Sequence, residues 1–304
     1  MAKVRYPKPH LSYTQQRQKL ADQGMVLDLP AEQVEHYLAH LNYYRLSGYW
    51  YEYRLHNASP LRFQPNTRFS EIIQLYQFDK ALRILLLDAI EQIEVSIRTK
   101  LAYHLGERYG AHALLNATLF NKQGTYHTTL AKLETEVGRS REEFILHLTG
   151  KYQEALPPIW AAVEVMSMGQ LSSWYKNLKV RQDALAISAN YELDSKVLSS
   201  FLHHLTILRN HCAHHARVWN KQFTFTLQIP SHKPLPVIEA FQTECMAQRK
   251  IYNTLVMMAW MLNIIQPEHD WLHRLKRLLA KYPDINLAQM GFPADWQDYA
   301  IWQS

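Results

Sequence analysis

The chain has 304 residues, of which 47% are hydrophobic and 20% charged, and this balance excludes an intrinsically disordered protein. It carries 33 Lys and Arg against 27 Asp and Glu, a net charge of +6. Nine of the basic residues but only five acidic ones lie within residues 1–70. Such a basic excess fits either a solvated surface or a polyanionic partner such as RNA.

Three further classes of protein are disfavoured by composition. No apolar run approaches the roughly 18 residues of a membrane span, so we expect no membrane partner. The first residues show no apolar signal segment and the chain has only two cysteines, so we expect a cytoplasmic protein. Nine glycines without a GxGxxG or P-loop pattern argue against nucleotide-cradling folds. We therefore expect no cofactor.

Helical periodicity dominates the chain and predicts an all-α fold. A loop rich in Pro and Asn separates a predicted N-terminal helical segment, 1–66, from a helical domain, 67–304. We expect the N-terminal segment to pack on that domain. Alternating apolar residues near 222–229 predict one short strand or extended arm. The helices are predicted, in chain order, over residues 12–22, 31–45, 70–109, 126–151, 159–178, 184–190, 195–216, 237–265 and 268–282.

A dense stretch of aromatic and Arg residues, 42–54, allows two interpretations. Its aromatic rings and its arginines, Arg45 and Arg54, could stack on and hold RNA. The rings could instead form core, and the helical spacing of Leu46, Tyr49 and Trp50 favours this second interpretation.

Charged residues follow one flank of the longest predicted helix. Glu91, Glu94 and Arg98 are three and four residues apart, so they can interact along the helix. An intrahelical ion pair is the simpler interpretation. The other is that a glutamate positions an arginine for chemistry.

The segment 208–220 carries the residues best suited to catalysis. Asn210 and His214 are four residues apart on a predicted helix, so the Asn amide can hydrogen-bond and orient the imidazole. Arg209 is five residues from His214, about 140° round the helix. One helix cannot easily close both side chains on one phosphate, whereas two facing copies could. This geometry predicts a homodimer.

Arginine and histidine suffice to cut RNA without a metal. Histidine can take the proton from a ribose 2′-hydroxyl or give one to the leaving 5′-oxygen. Arginine can hold the phosphate oxygens while charge builds on them. His215 also has suitable spacing and is the alternate base, although only His214 shares a helix face with Asn210.

A competing interpretation is a metal site on the same helix. His204, His211 and His215 are spaced by seven and four residues, beside Cys212, and an HxxxH pair can present two imidazoles on one face. No HExxH pattern and no identifiable third ligand accompany them. We therefore assign no metal and expect His203 and His204 to be helix-surface or core residues.

Four segments, in order, carry a family resemblance. Arg209-Asn210 with His214 resembles the R-x4-6-H motif of HEPN-domain ribonucleases, and the string 209–220 resembles the Abi-like (AbiD/AbiF) abortive-infection family of bacteria. The other three segments that resemble this family are 42–49, 79–98 and 290–296.

The resemblance implies an all-α, HEPN-like helical bundle with an N-terminal helical extension. It implies a dimeric endoribonuclease that acts as an antiviral toxin in phage defence, with RNA as target and with a cognate noncoding RNA as a further partner. Arg209 and His214 match the catalytic positions of the HEPN motif, and Asn210 matches its polar second position. The alternative is a non-catalytic RNA-binding scaffold. With this resemblance, the arginines expected to bind RNA are Arg45, Arg54, Arg98 and Arg217.

Overall fold

The structure is a computed structural model that describes Arg5, Pro7 and residues 9–303. These residues contain thirteen α-helices and several short 3-10 helices. These residues form no sheet or barrel, which confirms the all-α prediction. None of the helices in the described residues is both long and apolar enough to cross a bilayer. The chain divides into two compact units, one up to Ala81 and one from Leu82 onwards.

The helices follow the predicted order closely along the first third of the chain. The first unit holds α1 (Tyr13–Asp22), α2 (Ala31–Leu41), α3 (Tyr43–Ser47) and the start of α4 (Phe69–Tyr109). The second holds the rest of α4 with α5 (Gln123–Arg139), α6 (Glu143–Lys151), α7 (Ile159–Ala162), α8 (Met168–Lys176), α9 (Arg181–Ala189), α10 (Ser195–Ala213), α11 (Leu235–Ala240), α12 (Tyr252–Ile265) and α13 (Trp271–Lys281). The division between units falls inside α4, and the domain boundary at 66/67 stays a prediction.

The aromatic stretch 42–54 forms core in the first unit. Leu46 and Trp50 are fully buried, and the buried Tyr49 donates its hydroxyl hydrogen to Asp79 Oδ2 at 2.6 Å. This confirms the core interpretation for these residues. Tyr44 and Tyr51 point outward, with 69% and 51% of their surface exposed.

The core of the second unit is organised around α10 and α12. Helix α12 is apolar on nearly all sides and buried along most of its length, as expected of a central helix. Helix α10 turns Leu198, Leu202 and Leu205 inward, where each is fully buried, and it packs against α8. The buried side of α10 thus fixes which of its residues face solvent.

A buried carboxylate ties the end of α4 to α9. Asp183 accepts hydrogen bonds from Arg108 Nη1 at 2.6 Å and from the Tyr109 hydroxyl at 2.8 Å, and it lies 2.8 Å from His104 Nε2. Burial, followed by the bond to Asp183 and its charge, raises the pKa of Tyr109. The carboxylate is thus paired on both oxygens, as burial requires.

Four predicted helices are wrong in length because each is interrupted. The segment 31–45 breaks between α2 and α3 at Asn42, which has φ +64°. The segment 126–151 breaks between α5 and α6 around Ser140, and 237–265 breaks between α11 and α12. The segment 159–178 breaks at Ser167, whose hydroxyl accepts from Gln170 N while the Gln170 side chain accepts from Ser167 N. This capping box starts a new helix inside an apolar pattern.

The segment near 222–229 is an extended arm and, within the described residues, not a strand of any sheet. Its alternation still matches burial, since Phe223 and Leu227 are buried while Thr224 and Gln228 are exposed. Phe223 N donates to Arg249 O at 2.8 Å, and Gln228 N donates to Ser200 Oγ at 2.8 Å.

His204 pins this arm to α10 from inside the core. Its Nδ1 donates to Phe225 O at 3.3 Å, so Nε2 accepts from the buried Thr254 hydroxyl at 2.9 Å. Burial lowers the pKa of His204 to about 4, which keeps the ring neutral. His204 is therefore a core residue, which is one of the two positions expected for it.

Acidification from pH 7 to pH 5 should lower the free energy of unfolding by about 2 kcal/mol through His204. His204 takes up a proton near pH 6.5 in the unfolded chain but only near pH 4 in the folded chain. Its contribution to the free energy of unfolding is therefore complete above pH 6.5 and decreases below that pH. Urea unfolding at several pH values measures this. The His204→Gln variant cannot titrate there, and it should lose this part of the pH dependence. An unchanged dependence in that variant would contradict the assignment.

Candidate functional site at the end of α10

A histidine in the left-handed backbone conformation follows the last turn of α10. The helix stops at Ala213, His214 takes the C-cap position, and His215 follows with φ +56°. His215 N donates to Cys212 O at 3.0 Å, and Ala216 N donates to His211 O at 2.8 Å. These two bonds form a Schellman motif, in which glycine usually holds the left-handed position. The predicted extension of this helix to Ala216 is therefore wrong.

The four candidate catalytic residues all reach solvent at this helix end. Arg209, Asn210, His214 and His215 are exposed. Leu208, directly before Arg209, and Cys212, between Asn210 and His214, are buried and hold the helix end against the core. The polar groups are therefore presented from a well-anchored backbone.

His214 keeps helical register even though it lies at the cap. Its N–H donates to Asn210 O at 3.0 Å, so the offset of about 140° between Arg209 and His214 applies to the folded chain. Among the described residues, no hydrogen bond joins the Asn210 amide to the His214 ring. The orienting role of Asn210 stays a prediction.

The other histidines of the metal interpretation have structural partners. His211 is half-buried, its Nδ1 donates to Ile207 O at 3.0 Å, and its ring lies 6.1 Å from that of Phe223. His204 uses both ring nitrogens in the core. Within the residues that the structure describes, no three His, Cys, Asp or Glu side chains come together as a metal site.

The residues after the helix anchor it to the rest of the second unit. Val218 and Trp219 are buried, and the Arg217 guanidinium lies 5.7 Å from the centre of the Trp219 ring. Asn220 adopts φ +48°, and its Oδ1 accepts a hydrogen bond from Lys250 Nζ. Lys250 thus stabilises the turn that follows the candidate site.

Lys250 is a residue that the sequence analysis missed. It lies 30 positions from Asn220 in an irregular segment, so no local spacing could have linked the two. Lys250 also contacts the C-terminal segment 290–296, because a Cβ on Gly291 would lie 2.7 Å from Lys250 Cβ. Two of the four segments that carry the family resemblance therefore meet at this lysine.

The remaining predicted RNA-binding arginines have different surroundings. Arg45 is exposed in the first unit, and Arg54 is half-buried with its guanidinium 5.6 Å from the centre of the Tyr51 ring. Arg98 donates to Glu94 Oε1 at 2.5 Å and to the carbonyl oxygens of Glu164 and Met166. The intrahelical ion pair is thereby confirmed, and it gives Arg98 a structural role in the second unit.

Comparison with known proteins identifies the family. No curated protein and no solved structure matches the chain. A family model described as Abi-like protein matches residues 36–220, more than half of the chain. The matched range ends at Asn220, and so it includes the candidate site at the end of α10. The chain therefore belongs to the Abi-like protein family.

Proposed function

We propose that this protein is a metal-independent endoribonuclease that acts on RNA in the cytoplasm, as a homodimer, during abortive infection. Membership of the Abi-like family supports the role in abortive infection, a form of phage defence. The observation that carries the ribonuclease proposal is the exposed group of Arg209, Asn210 and His214 on the anchored end of α10. The resemblance of these three residues to the HEPN ribonuclease motif supports the same conclusion.

The proposed reaction is a transesterification within the RNA. One His214 takes the proton of the ribose 2′-hydroxyl, and the 2′-oxygen then attacks the adjacent phosphorus. The bond from phosphorus to the 5′-oxygen breaks, and a protonated His214 gives that oxygen its proton. Arg209 holds the non-bridging oxygens as negative charge builds on them. The products carry a 2′,3′-cyclic phosphate and a 5′-hydroxyl.

Two copies of the chain supply the base, the acid and the charge clamp. A single α10 carries one His214, and its Arg209 lies about 140° away round the helix. Two helix ends that face each other across a two-fold axis present two histidines and two arginines to one phosphate. The proposed active site is therefore complete only in the homodimer.

Mixing two inactive variants tests the shared site. Arg209→Ala and His214→Ala homodimers should each be inactive, because each lacks both copies of one group. After exchange of subunits, the mixed dimers retain one arginine and one histidine on different chains. They keep a base and the group that holds the phosphate, while water replaces the second histidine as proton donor, so they should recover part of the cleavage activity. Activity that never reappears in verified mixed dimers would contradict a site shared in this way.

Substrate chemistry tests the reaction itself. A single 2′-deoxy sugar at the cut position should block cleavage but leave phosphate-driven binding largely unchanged, and wild-type cleavage should persist in EDTA. Cleavage of the deoxy-substituted strand, or loss of activity in EDTA, would contradict the proposal. RNA that binds tightly and is never cut would instead favour the RNA-binding scaffold, with a cognate noncoding RNA as its ligand.

A further inference from the structure

A cleft of about 470 Å³ lies beside the first half of α10, the end opposite to Arg209 and His214. Its walls come from the end of α8, from α9, from residues 195–203 of α10 and from the extended arm at 225–228. This volume is within the range of sites that bind small ligands. None of the sequence motifs described above predicts it.

The cleft is electropositive. Lys176 and Lys196 reach it from two different helices, and none of the described residues that line it is acidic. Burial, and then the positive charge of Lys176, lowers the pKa of His203, which also lines the cleft. Five hydroxyl side chains line the cleft, and those of Ser195, Ser199 and Thr226 add hydrogen-bonding groups to the ones of Tyr175 and Ser200, which bond to Ala184 O and Gln228 N. Ammonium and hydroxyl groups together suit a phosphate.

One wall of the cleft is aromatic and held in place. The rings of His203 and Phe225 meet edge to face with their centres 4.6 Å apart. Phe225 is fixed through its carbonyl oxygen, which accepts from His204, and the arm is fixed again where Gln228 N donates to Ser200 Oγ at 2.8 Å. A base can pack on such a wall whatever its sequence, since every base has an apolar face.

The cleft lies on the same face of α10 as two members of the candidate catalytic group, Asn210 and His214. Lys196, Ser199, His203 and Asn210 are separated by three, four and seven residues, which places them on one stripe of the helix. Along the helix axis, His203 lies about 9 Å from Arg209 and about 16 Å from His214. These distances equal about three to five nucleotides at the ~3.4 Å stacking spacing of a helical strand.

We propose that this cleft binds one nucleotide of the RNA strand, with its phosphate at Lys176 and Lys196 and its base beside Phe225. The inference rests on the proposed function, because the strand in the cleft is the RNA that the end of α10 is proposed to cut. The bound nucleotide fixes the position of the strand along α10, so the cleft selects which phosphate, about three to five nucleotides from the bound base, reaches Arg209 and His214.

The test measures binding of a fluorescein-labelled, single-stranded 2′-O-methyl RNA, which the proposed chemistry cannot cut. The Lys176→Glu/Lys196→Glu variant should bind about tenfold more weakly, and the slope of log K against log salt should fall by about 1.4, as for two lost phosphate contacts. The matched control is Lys132→Glu/Lys179→Glu, which makes the same charge change at two exposed lysines outside the cleft. It should bind as the wild type does.

Three results would overturn the inference. The cleft variant could bind normally, or the control could lose as much affinity, which would indicate general electrostatic attraction. Free AMP or UMP could displace the strand at micromolar concentration and could fail to bind the cleft variant. Together these two results would indicate a site for a free nucleotide. Because the probe is uncleavable, these results are independent of cleavage. If the wild type cleaves RNA and the cleft variant binds the probe normally, the nucleotide site in the cleft is rejected, but the proposed ribonuclease function is not.

Discussion

Replacement of Arg209 or of His214 by alanine should lower the rate of RNA cleavage by about 10²–10⁴-fold. The first change removes the guanidinium that holds the phosphate oxygens, and the second removes the group that moves the proton. Both side chains are exposed, so neither truncation opens a cavity in the core. Single-turnover cleavage measures the loss, and urea unfolding of the same samples should show wild-type stability.

Asn210→Ala should reduce cleavage less than either of these changes. Its proposed role is to orient the His214 ring, and a neutral imidazole that is less well oriented can still accept a proton. A fall as large as that of His214→Ala would mean that Asn210 contacts the substrate itself.

His215→Gly is the matched control for His214→Ala. His215 holds φ +56°, a conformation that glycine adopts without strain, so the change should preserve the Schellman motif. Cleavage should persist, because His214 is the proposed base. Inactive His215→Gly together with active His214→Ala would assign the catalytic role to His215.

Gly291→Ala should lower the free energy of unfolding by about 2–4 kcal/mol, the largest effect on stability that we expect from a single methyl group. Gly291 has φ +88°, and an added Cβ would lie 2.7 Å from Lys250 Cβ and 3.2 Å from Ala247 O. Neither neighbour is the end of a flexible side chain. The displaced Lys250 also holds the turn at Asn220, so cleavage should fall as well.

Gly24→Ala separates backbone strain from the steric clash. Gly24 has φ +91°, but no atom lies within 4 Å of the position that its Cβ would occupy. This variant should lose only about 1–2 kcal/mol, the cost of the left-handed conformation. Urea unfolding, followed by tryptophan fluorescence, measures both variants against the wild type. Equal losses would show that Lys250 does not pack against Gly291.

The helices could be predicted from sequence because their apolar faces repeat with the helical period. The interruptions were harder, since the break before α8 lies inside an unbroken apolar pattern. One signal was available there, because Ser167 and Gln170 have the spacing of a capping box. The end of α10 gave no such signal, as a histidine occupies the position where glycine would mark a helix end.

The candidate site was predictable in part for a similar reason. Arg209, Asn210 and His214 lie within one helical turn and a half, so their spacing alone places them at one end of α10. The cleft at Lys176 and Lys196 was not predictable, because its residues come from three helices and an arm that only the folded chain brings together. Lys250 was missed for the same reason.

The central claim is that the end of α10 cuts RNA. The most direct measurement incubates end-labelled single-stranded RNA with wild-type and His214→Ala protein, and reads binding and cleavage from the same samples. The wild type should bind and cut, leaving 2′,3′-cyclic phosphate ends, whereas His214→Ala should bind with similar affinity and leave the strand intact. Cleavage of equal rate and identical product ends in both samples would contradict the claim.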